Sequence, residues 1–368
     1  MEDRISAETR QQIREKMEEL KERQTGDAVK QIIEFDKTPA DLKAEMDRFV
    51  IGQEMGKKAI ATAIAFHYRR LGNALRLAMA QNGEDVDVAL RQTKTPKANI
   101  MLIGPTGCGK TYTGEVASRL VGVPFVVEDL TKFSEVGYVG QNTSDILLDL
   151  LISAGGNRHV AQMGIIYLDE VDKIASEPVV YGKDVSGRGV QKGLLKMVEG
   201  AENTIELGKE RLALSTKHVL FMVGGVYEHL DDIVRKRMAR HGRDGDWKDC
   251  LLTDDLVACG MERQLMGRFP VRVVYDALTV QDLKDIMVMS EDSPLRAYVN
   301  DLTAWGIDLR LTDDALSLVA RRAEEEGIGA RGLTSILHRV LLEDMYRLPG
   351  TYTGELLVDA GYIRERLR

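Results

Sequence analysis

Cysteine is scarce in this 368-residue sequence, which contains only Cys108, Cys250 and Cys259. The three residues form no paired C-x-x-C element, so the sequence supports neither a disulfide framework nor a thiolate zinc site. We therefore expect reduced thiols with mostly structural roles.

Long apolar runs are also missing. The stretch MEDRISAETRQQIREKMEELKERQ is charged throughout and lacks the apolar core of a signal peptide, and no later run approaches membrane-spanning length. We expect a cytoplasmic protein with no membrane partner.

Positive charge is in deficit, because 58 acidic residues outnumber 50 lysines and arginines and leave a formal net charge of -8. This balance argues against nucleic-acid binding through a broad basic surface, although a locally basic channel inside an assembly would escape the count. With 44% hydrophobic and 29% charged residues, the chain has a globular composition and is long enough for two or three domains.

The sequence does contain a regular alternation of strands and helices between residues 98 and 225. ANIMLIG, PFVVEDL, GIIYLDE and HVLFMVGG are nearly continuous apolar runs, and helical patterns such as KTYTGEVASRLV separate them. Apolar strands between helices predict an α/β fold, in which helices cover both faces of a parallel sheet.

Three domains are predicted around this core. Residues 1–37 form a charged helical N-terminal extension, interrupted at QTGD. Residues 38–274 form the large domain, which begins with a helix capped by Thr38 and continues with a helix from about Glu54 to Leu77. A polar connection over residues 80–97 precedes the first strand. Residues 275–368 form a smaller, mostly helical domain that ends in a short GELLVDA strand.

A phosphate-binding loop lies between the first strand and the helix that follows it. The sequence GPTGCGKT fits G-x-x-x-x-G-K-[ST], whose backbone N–H groups close around phosphates at a helix N-terminus. In this pattern Lys110 reaches the outer phosphates and Thr111 holds magnesium. The candidate nucleotide-binding residues are Gly104, Pro105, Thr106, Gly107, Cys108, Gly109, Lys110, Thr111 and Tyr112.

A second motif ends the strand GIIYLDE in two carboxylates, Asp169 and Glu170. Asp169 is a candidate magnesium ligand, and Glu170 is a candidate base that orients and activates the attacking water. Solvated carboxylates at a strand end are common, but that reading loses most of its weight beside a phosphate-binding loop. The two motifs together predict ATP hydrolysis with ATP and Mg²⁺ as cofactors.

Several further motifs resemble the ClpX/HslU clade of AAA+ ATPases, and most closely the ClpX protein unfoldases. They are TPADLKAEMDRFVIGQ, IMLIGPTGCGKT, FSEVGYVG, IIYLDEVDK, DVSGRGVQKGLLKMVEG, MGRFPV and GIGARGLTSIL, and their order and approximate spacing also match. The resemblance implies an AAA+ ATPase domain with a smaller helical lid. It also implies a homo-hexameric ring that threads protein substrates through a central pore.

The resemblance assigns four more residues to the nucleotide. Val50 and Ile51 match the family's apolar adenine contacts. Arg268 matches the arginine finger that reaches the neighbouring subunit's nucleotide, and Arg331 matches the sensor arginine of the small domain. Taken alone, the two apolar residues would be read as core packing and the two arginines as solvated charges.

The resemblance also identifies a substrate-gripping loop. Tyr138 and Val139, flanked by Gly137 and Gly140, match the pore loop whose aromatic ring packs against a translocating polypeptide. Such packing suits a motor that must accept any sequence, because apolar contacts tolerate many side chains. An ordinary surface turn is the alternative. KDVSGRGVQ resembles a second pore-facing loop.

Three features depart from the family pattern. Residues 1–37 contain no cysteine, so the zinc-binding N-terminal domain is missing there. The pore-entrance segment that is basic in the family is replaced by AENTIELGKERLALSTKH. The fourth core strand reads FMVGGVY, so Gly224 and Gly225 offer no side chain where related ATPases usually carry a polar sensor.

The family's peptidase-docking tripeptide is also missing from the corresponding region of this sequence. ClpX-type rings dock on a ClpP-type peptidase through a loop with an Ile-Gly-Phe-like tripeptide, and a few buried residues of this kind can dominate binding. The corresponding region, Arg235 to Gln264, contains no such tripeptide, and Trp247 is its only aromatic residue. The sequence therefore predicts no peptidase docking through this loop.

Two other functions compete with the unfoldase interpretation. An AAA+ motor or loader acting on nucleic acid is disfavoured by the acidic balance and by the aromatic Gly-Tyr-Val-Gly loop. A nucleotide-dependent scaffold with little turnover is disfavoured because Lys110, Asp169, Glu170 and Arg268 are all present.

Overall fold

The computed structural model describes residues 7–82, 85–94, 96–133, 143–175, 187–207 and 210–367. Its strands are β1 (Ile100–Ile103), β2 (Phe125–Asp129), β3 (Ile165–Asp169), β4 (Glu202–Leu207), β5 (Glu210–Ser215), β6 (Leu220–Gly225), β7 (Val271–Val274), β8 (Ile307–Leu311) and β9 (Gly354–Val358).

The helices of the first two thirds of the chain are α1 (Ala7–Ile33), α2 (Pro39–Asp47), α3 (Glu54–Asn82), α4 (Val86–Gln92), α5 (Lys110–Val121), α6 (Thr143–Ser153), α7 (Arg158–Ala161), α8 (Arg188–Glu199), α9 (Leu230–Arg240), α10 (Thr253–Ala258) and α11 (Arg263–Met266). Those of the last third are α12 (Val280–Met289), α13 (Pro294–Thr303), α14 (Asp313–Glu325), α15 (Ala330–Arg347) and α16 (Ala360–Arg366). No helix of the described part of the chain is long and apolar enough to cross a membrane.

The central sheet has five parallel strands in the order β2-β3-β6-β1-β7. Every residue of β1 and β6 is buried, which explains why these strands read as continuous apolar runs. Alternate residues of β1 and β3 belong to two different core clusters, one on each face of the sheet. The predicted α/β class is confirmed.

Helix α2 begins as the sequence predicts. The Thr38 hydroxyl accepts a hydrogen bond from the Asp41 backbone N–H, and the Asp41 carboxylate in turn accepts one from the Thr38 backbone N–H. Such a reciprocal cap satisfies two backbone donors that the helix itself cannot pair. Helix α3 continues five residues beyond the predicted end at Leu77.

Helix α1 differs from the expectation of two helical pieces, since it continues through QTGD. Its C-terminal half packs on the large domain, where Val29 and Ile32 are buried against α3. The Gln31 side chain donates to the Val121 carbonyl at 2.7 Å, and Asn157 donates to the Lys21 carbonyl at 2.9 Å. These tertiary contacts offset the cost of about 1 kcal/mol for Gly26 inside a helix.

Two elements between the predicted ones were missed. Helix α4 lies in the polar connection before β1, and β4 pairs with β5 as an antiparallel hairpin in the segment AENTIELGKERLALSTKH. Both elements are short and rich in charged residues, so their apolar pattern is weak.

The C-terminal part has its own apolar core, drawn entirely from residues 278–367. Strands β8 and β9 pair in parallel beside helices α12 to α16. The sequence did not predict β8, and the chain continues past β9 into α16 instead of ending in a strand. A small, mostly helical C-terminal domain is confirmed, while its boundary at residue 275 stays a prediction.

Candidate functional site

The phosphate-binding loop joins β1 to α5 and leaves the helix N-terminus free. Gly107 and Gly109 have φ values of +75° and +93°, which residues with a side chain rarely adopt. No side chain caps α5 at Gly109, so its first backbone N–H groups remain available to an anion. The Lys110 ammonium group donates to the carbonyls of Gly104 at 2.7 Å and Pro105 at 2.8 Å, which keeps it beside the loop.

Two oxygen ligands suited to magnesium meet beside this loop. The Thr111 hydroxyl donates to Asp169 Oδ2 at 3.0 Å, and Asp169 Oδ1 accepts the Glu170 backbone N–H at 3.0 Å. Magnesium is commonly held by one or two protein oxygens together with substrate phosphates and water. The described residues contain no cluster of three or more histidine, cysteine or acidic side chains able to hold a metal alone. The donor set therefore fits a metal that arrives with nucleotide.

Glu170 has a strained backbone at the edge of the cleft. Its φ of 56° and ψ of 36° lie in the left-handed region, which costs a non-glycine residue on the order of 1 kcal/mol or more. The residue directly follows β3, lines the cleft and is exposed. Strain of this kind persists where the surrounding structure fixes it, and it is typical of functional residues.

Apolar residues from both domains form the other end of the cleft. Val50 and Ile51 line it as the sequence predicts, and Val50 also belongs to the core. Phe49, Leu278 and Ile286 line the same region, and sequence reasoning missed all three. Their apolar side chains offer a surface on which a flat base can pack.

The small domain contacts the phosphate-binding loop directly. The Ala330 backbone N–H donates to the Gly107 carbonyl at 3.1 Å, and a Cβ at Gly107 would lie 2.0 Å from the Ile328 carbonyl oxygen. Glycine is therefore required here for close packing as well as for its positive φ. Arg331, at the start of α15, is exposed and lines the cleft.

Gln53 connects three segments around the nucleotide cleft. Its side-chain amide donates to the carbonyls of Cys108 at 3.3 Å and Asp276 at 2.8 Å, and its side-chain oxygen accepts the Asp276 backbone N–H at 3.1 Å. Gln53 is the last residue of the FVIGQ motif, but the sequence alone assigned it no role. The motif itself was the signal that could have identified it.

Tyr112 lines the cleft and fixes the small domain to α5. Its hydroxyl donates to Asp292 at 2.9 Å, and Arg119 contacts the same carboxylate at 2.7 Å. Burial opposes ionisation of Asp292, but the hydrogen bonds from Arg119 and Tyr112 outweigh it and lower the pKa of that carboxyl. Burial also raises the pKa of the Cys108 thiol, which fits a structural cysteine.

Arg268 does not line this cleft. Its side chain is 52% exposed and pairs with Glu199 at 2.5 Å, and its carbonyl accepts a hydrogen bond from Asn99 at 2.9 Å. The structure thus separates Arg268 from the nucleotide site of its own chain. Tyr138 and Val139, like residues 183–186 of the second pore-facing segment, lie outside the described residues.

The cleft has a volume of about 600 Å³ and lies between the two domains. A parallel sheet, a glycine-rich loop that opens a helix, and a strand ending in Asp169-Glu170 define a P-loop ATPase. Residues 95–272 match the model of the AAA domain (Cdc48 subfamily), and residues 278–352 match the C-terminal D2-small domain of ClpB protein.

Curated relatives resemble most of the chain. The ATP-dependent Clp protease ATP-binding subunit ClpX 3 of Methylococcus capsulatus is 35% identical over 349 residues, and the match covers 88% of this chain and 79% of the relative. The ClpX subunits of Treponema denticola and Borrelia duttonii are 35% and 36% identical over 334 and 335 residues. Each alignment spans 85% of this chain, and the relatives are covered to 77% and 75%. The chain therefore belongs to the ClpX family of AAA+ ATPases.

Proposed function

We propose that this chain is an ATP-driven protein unfoldase that works as a homo-hexameric ring with Mg²⁺ and threads polypeptides through its pore. The observation that carries the proposal is the cleft between the two domains. It combines the phosphate-binding loop, Asp169, Glu170 and Arg331 with an apolar base pocket. Hydrolysis that alters contacts in such a cleft would move one domain against the other.

The proposal assigns each chemical role in ATP hydrolysis to named groups of the cleft. Lys110 and the loop N–H groups bind the phosphates, while Thr111 and Asp169 hold magnesium, which neutralises charge on the phosphate oxygens. Glu170 accepts the proton of the attacking water. Arg331 contacts the outer phosphates from the small domain.

Coupling between hydrolysis and domain movement has a specific route in the proposal. Gly107 of the phosphate-binding loop packs against the backbone at Ile328 and Gly329, so a shift of the loop displaces the start of α15. Gln53 links the same loop to Asp276 at the entry to the small domain. One contact is made by backbone atoms and the other by the Gln53 side-chain amide, and both would transmit movement of the loop to the small domain.

Substrate gripping provides the direct test. We expect Tyr138→Ala to leave ATP turnover within a few-fold of the parent while it stops the unfolding of a stable client. The reason is that the aromatic side chain of Tyr138 packs against the client and is not part of the hydrolysis site in this proposal. Tyr138→Phe is the matched control and should retain unfolding. The measurement is the ratio of client unfolding to ATP hydrolysis for each variant. If the alanine variant unfolds the client as well as the parent does, Tyr138 is an ordinary surface residue and does not grip the substrate.

The nucleic-acid alternative gives a different result in the same assays. A loader or branch-migration motor would hydrolyse ATP faster with single- or double-stranded DNA and would show no stimulation by an unfolded protein. We expect stimulation by protein and none by DNA.

Peptidase docking through residues 235–264 is not part of the proposal. Trp247 is half-buried and packs against the large core cluster, so its ring is engaged within this chain. Arg237 also fixes the region, because it pairs with both oxygens of buried Asp255 at 2.7 and 3.0 Å.

A mixing experiment tests this absence of docking. With ATP, a stable client and a ClpP-type peptidase from the same cell, we expect neither client degradation nor co-migration on size exclusion. The missing apolar anchor removes most of the docking energy. Robust degradation that Trp247→Ala abolishes, with an unchanged melting temperature, would instead make Trp247 the anchor.

A further inference from the structure

Tyr167 has a buried hydroxyl group beside the nucleotide site. The residue is fully buried in β3, and its hydroxyl has no hydrogen-bond partner among the residues that the structure describes. Buried polar atoms in folded proteins are nearly always paired, so an unpaired one requires an explanation. Tyr167 and Asp169 are two positions apart on one strand, and their side chains therefore leave the sheet on the same face.

The glycine at position 224 makes room for this hydroxyl. A Cβ built on Gly224 would lie 2.0 Å from the Tyr167 hydroxyl oxygen and 3.0 Å from Asp169 Oδ1. The two oxygens are therefore at most 5.0 Å apart, a gap that a direct contact or one bridging water can close after a small movement. The tyrosine hydroxyl occupies the space that a side chain of β6 would need.

A second glycine accommodates the ring on its other side. A Cβ on Gly114 of α5 would lie 3.3 Å from Tyr167 Cδ2, so the ring fits between α5 and β6. A phenol is protonated at neutral pH, so the Tyr167 hydroxyl can act as a hydrogen-bond donor.

We propose that Tyr167 is a positioning residue that donates a hydrogen bond to Asp169 when magnesium and nucleotide are bound, and so replaces the polar side chain that Gly224 lacks. Asp169 already accepts hydrogen bonds from Thr111 on one oxygen and from the Glu170 backbone on the other. A third donor would fix the carboxylate in one orientation toward the metal. Groups that orient metal-binding carboxylates in this way typically change metal affinity or activity by 10- to 100-fold. This inference rests on the proposed role of Asp169 in magnesium binding.

The substitution Tyr167→Phe removes only the hydroxyl oxygen. We expect the Mg²⁺ concentration that half-saturates binding of a non-hydrolysable ATP analogue to rise about 10-fold. Binding of the same analogue in EDTA should change less than about twofold, because the phosphate-binding loop is untouched. The melting temperature should stay the same or rise, since an unpaired buried hydroxyl is removed.

Tyr68→Phe is the matched control in the same core cluster. Its hydroxyl donates to the Met163 carbonyl at 3.0 Å, just before the start of β3 and at the opposite end of that strand from Asp169. This variant should lower the melting temperature and leave the Mg²⁺ dependence unchanged. Tyr167→Phe is therefore expected to weaken magnesium binding without loss of stability, and Tyr68→Phe to lower stability without a change in magnesium binding.

A second readout uses turnover. Excess Mg²⁺ should restore most of the ATPase rate of Tyr167→Phe, because saturating metal compensates for a weakened carboxylate orientation. The inference is overturned if the Mg²⁺ midpoint of Tyr167→Phe stays within about twofold of the parent, or if Tyr68→Phe shifts it equally. Failure of the parent protein itself to bind the analogue more tightly with Mg²⁺ would instead overturn the proposed function.

Discussion

Glu170→Gln should reduce ATP turnover by about 10²- to 10⁴-fold while nucleotide binding and ring assembly persist. The substitution removes the carboxylate that we propose accepts the proton of water, but it leaves the side chains of Lys110 and Thr111 unchanged. The glutamine is nearly isosteric, so the left-handed backbone at position 170 meets no new steric demand. Steady-state phosphate release and equilibrium binding of ATP measure the two properties separately.

A chemically identical change elsewhere is the control for this prediction. Glu324 is exposed on α14, and Glu324→Gln should leave turnover and nucleotide affinity unaltered. Turnover near the parent rate in Glu170→Gln would refute the assignment of the base. Loss of ATP binding in that variant would mean that Glu170 supports the loop and does not act in chemistry.

Arg268→Ala should lower ATP turnover about 10³- to 10⁵-fold, the range for an arginine that stabilises charge on the transferred phosphoryl group. The prediction requires donation between subunits, because Arg268 does not line the cleft of its own chain. Nucleotide affinity should fall much less, since the phosphate-binding loop and the base pocket are intact.

Mixing two inactive variants distinguishes donation between subunits from action within one chain. An Arg268→Ala subunit retains Glu170, and a Glu170→Gln subunit retains Arg268. Rings that contain both should recover turnover wherever an intact site meets an intact arginine from its neighbour. No recovery in verified mixed rings would rule out a finger supplied by the neighbouring subunit.

Glu199→Ala controls for the ion pair that Arg268 makes in this structure. An exposed pair of this type contributes about 0.2 to 1 kcal/mol, so its loss alone should change turnover only a few-fold. If Glu199→Ala were as inactive as Arg268→Ala, the arginine would matter through that pair and not through the nucleotide.

The α5 boundaries and the α2 cap were predictable because each depends on residues close together in the chain. The glycine-rich loop predicts the helix that follows it, which is Lys110–Val121. Thr38 and Asp41 form a cap within one helical turn. Strand β8 was missed because it pairs with β9, more than 40 residues later, and its own pattern is only five residues long. Short elements with distant partners carry too weak a local pattern to identify them.

The sequence by itself determined the chemistry of the nucleotide site. The phosphate-binding loop and the Asp169-Glu170 pair each need a local order of residues, because their backbone and side-chain groups act within a few positions of one another. Tertiary structure alone decided what surrounds that chemistry. It brought Gly107 against Ile328 and Gln53 against Asp276, across more than 200 residues in each case, and it placed the Tyr167 hydroxyl where Gly224 has no side chain. Such contacts form when segments that are distant in sequence pack together. The residues that make them follow no periodic pattern in the chain, so the sequence alone does not reveal them.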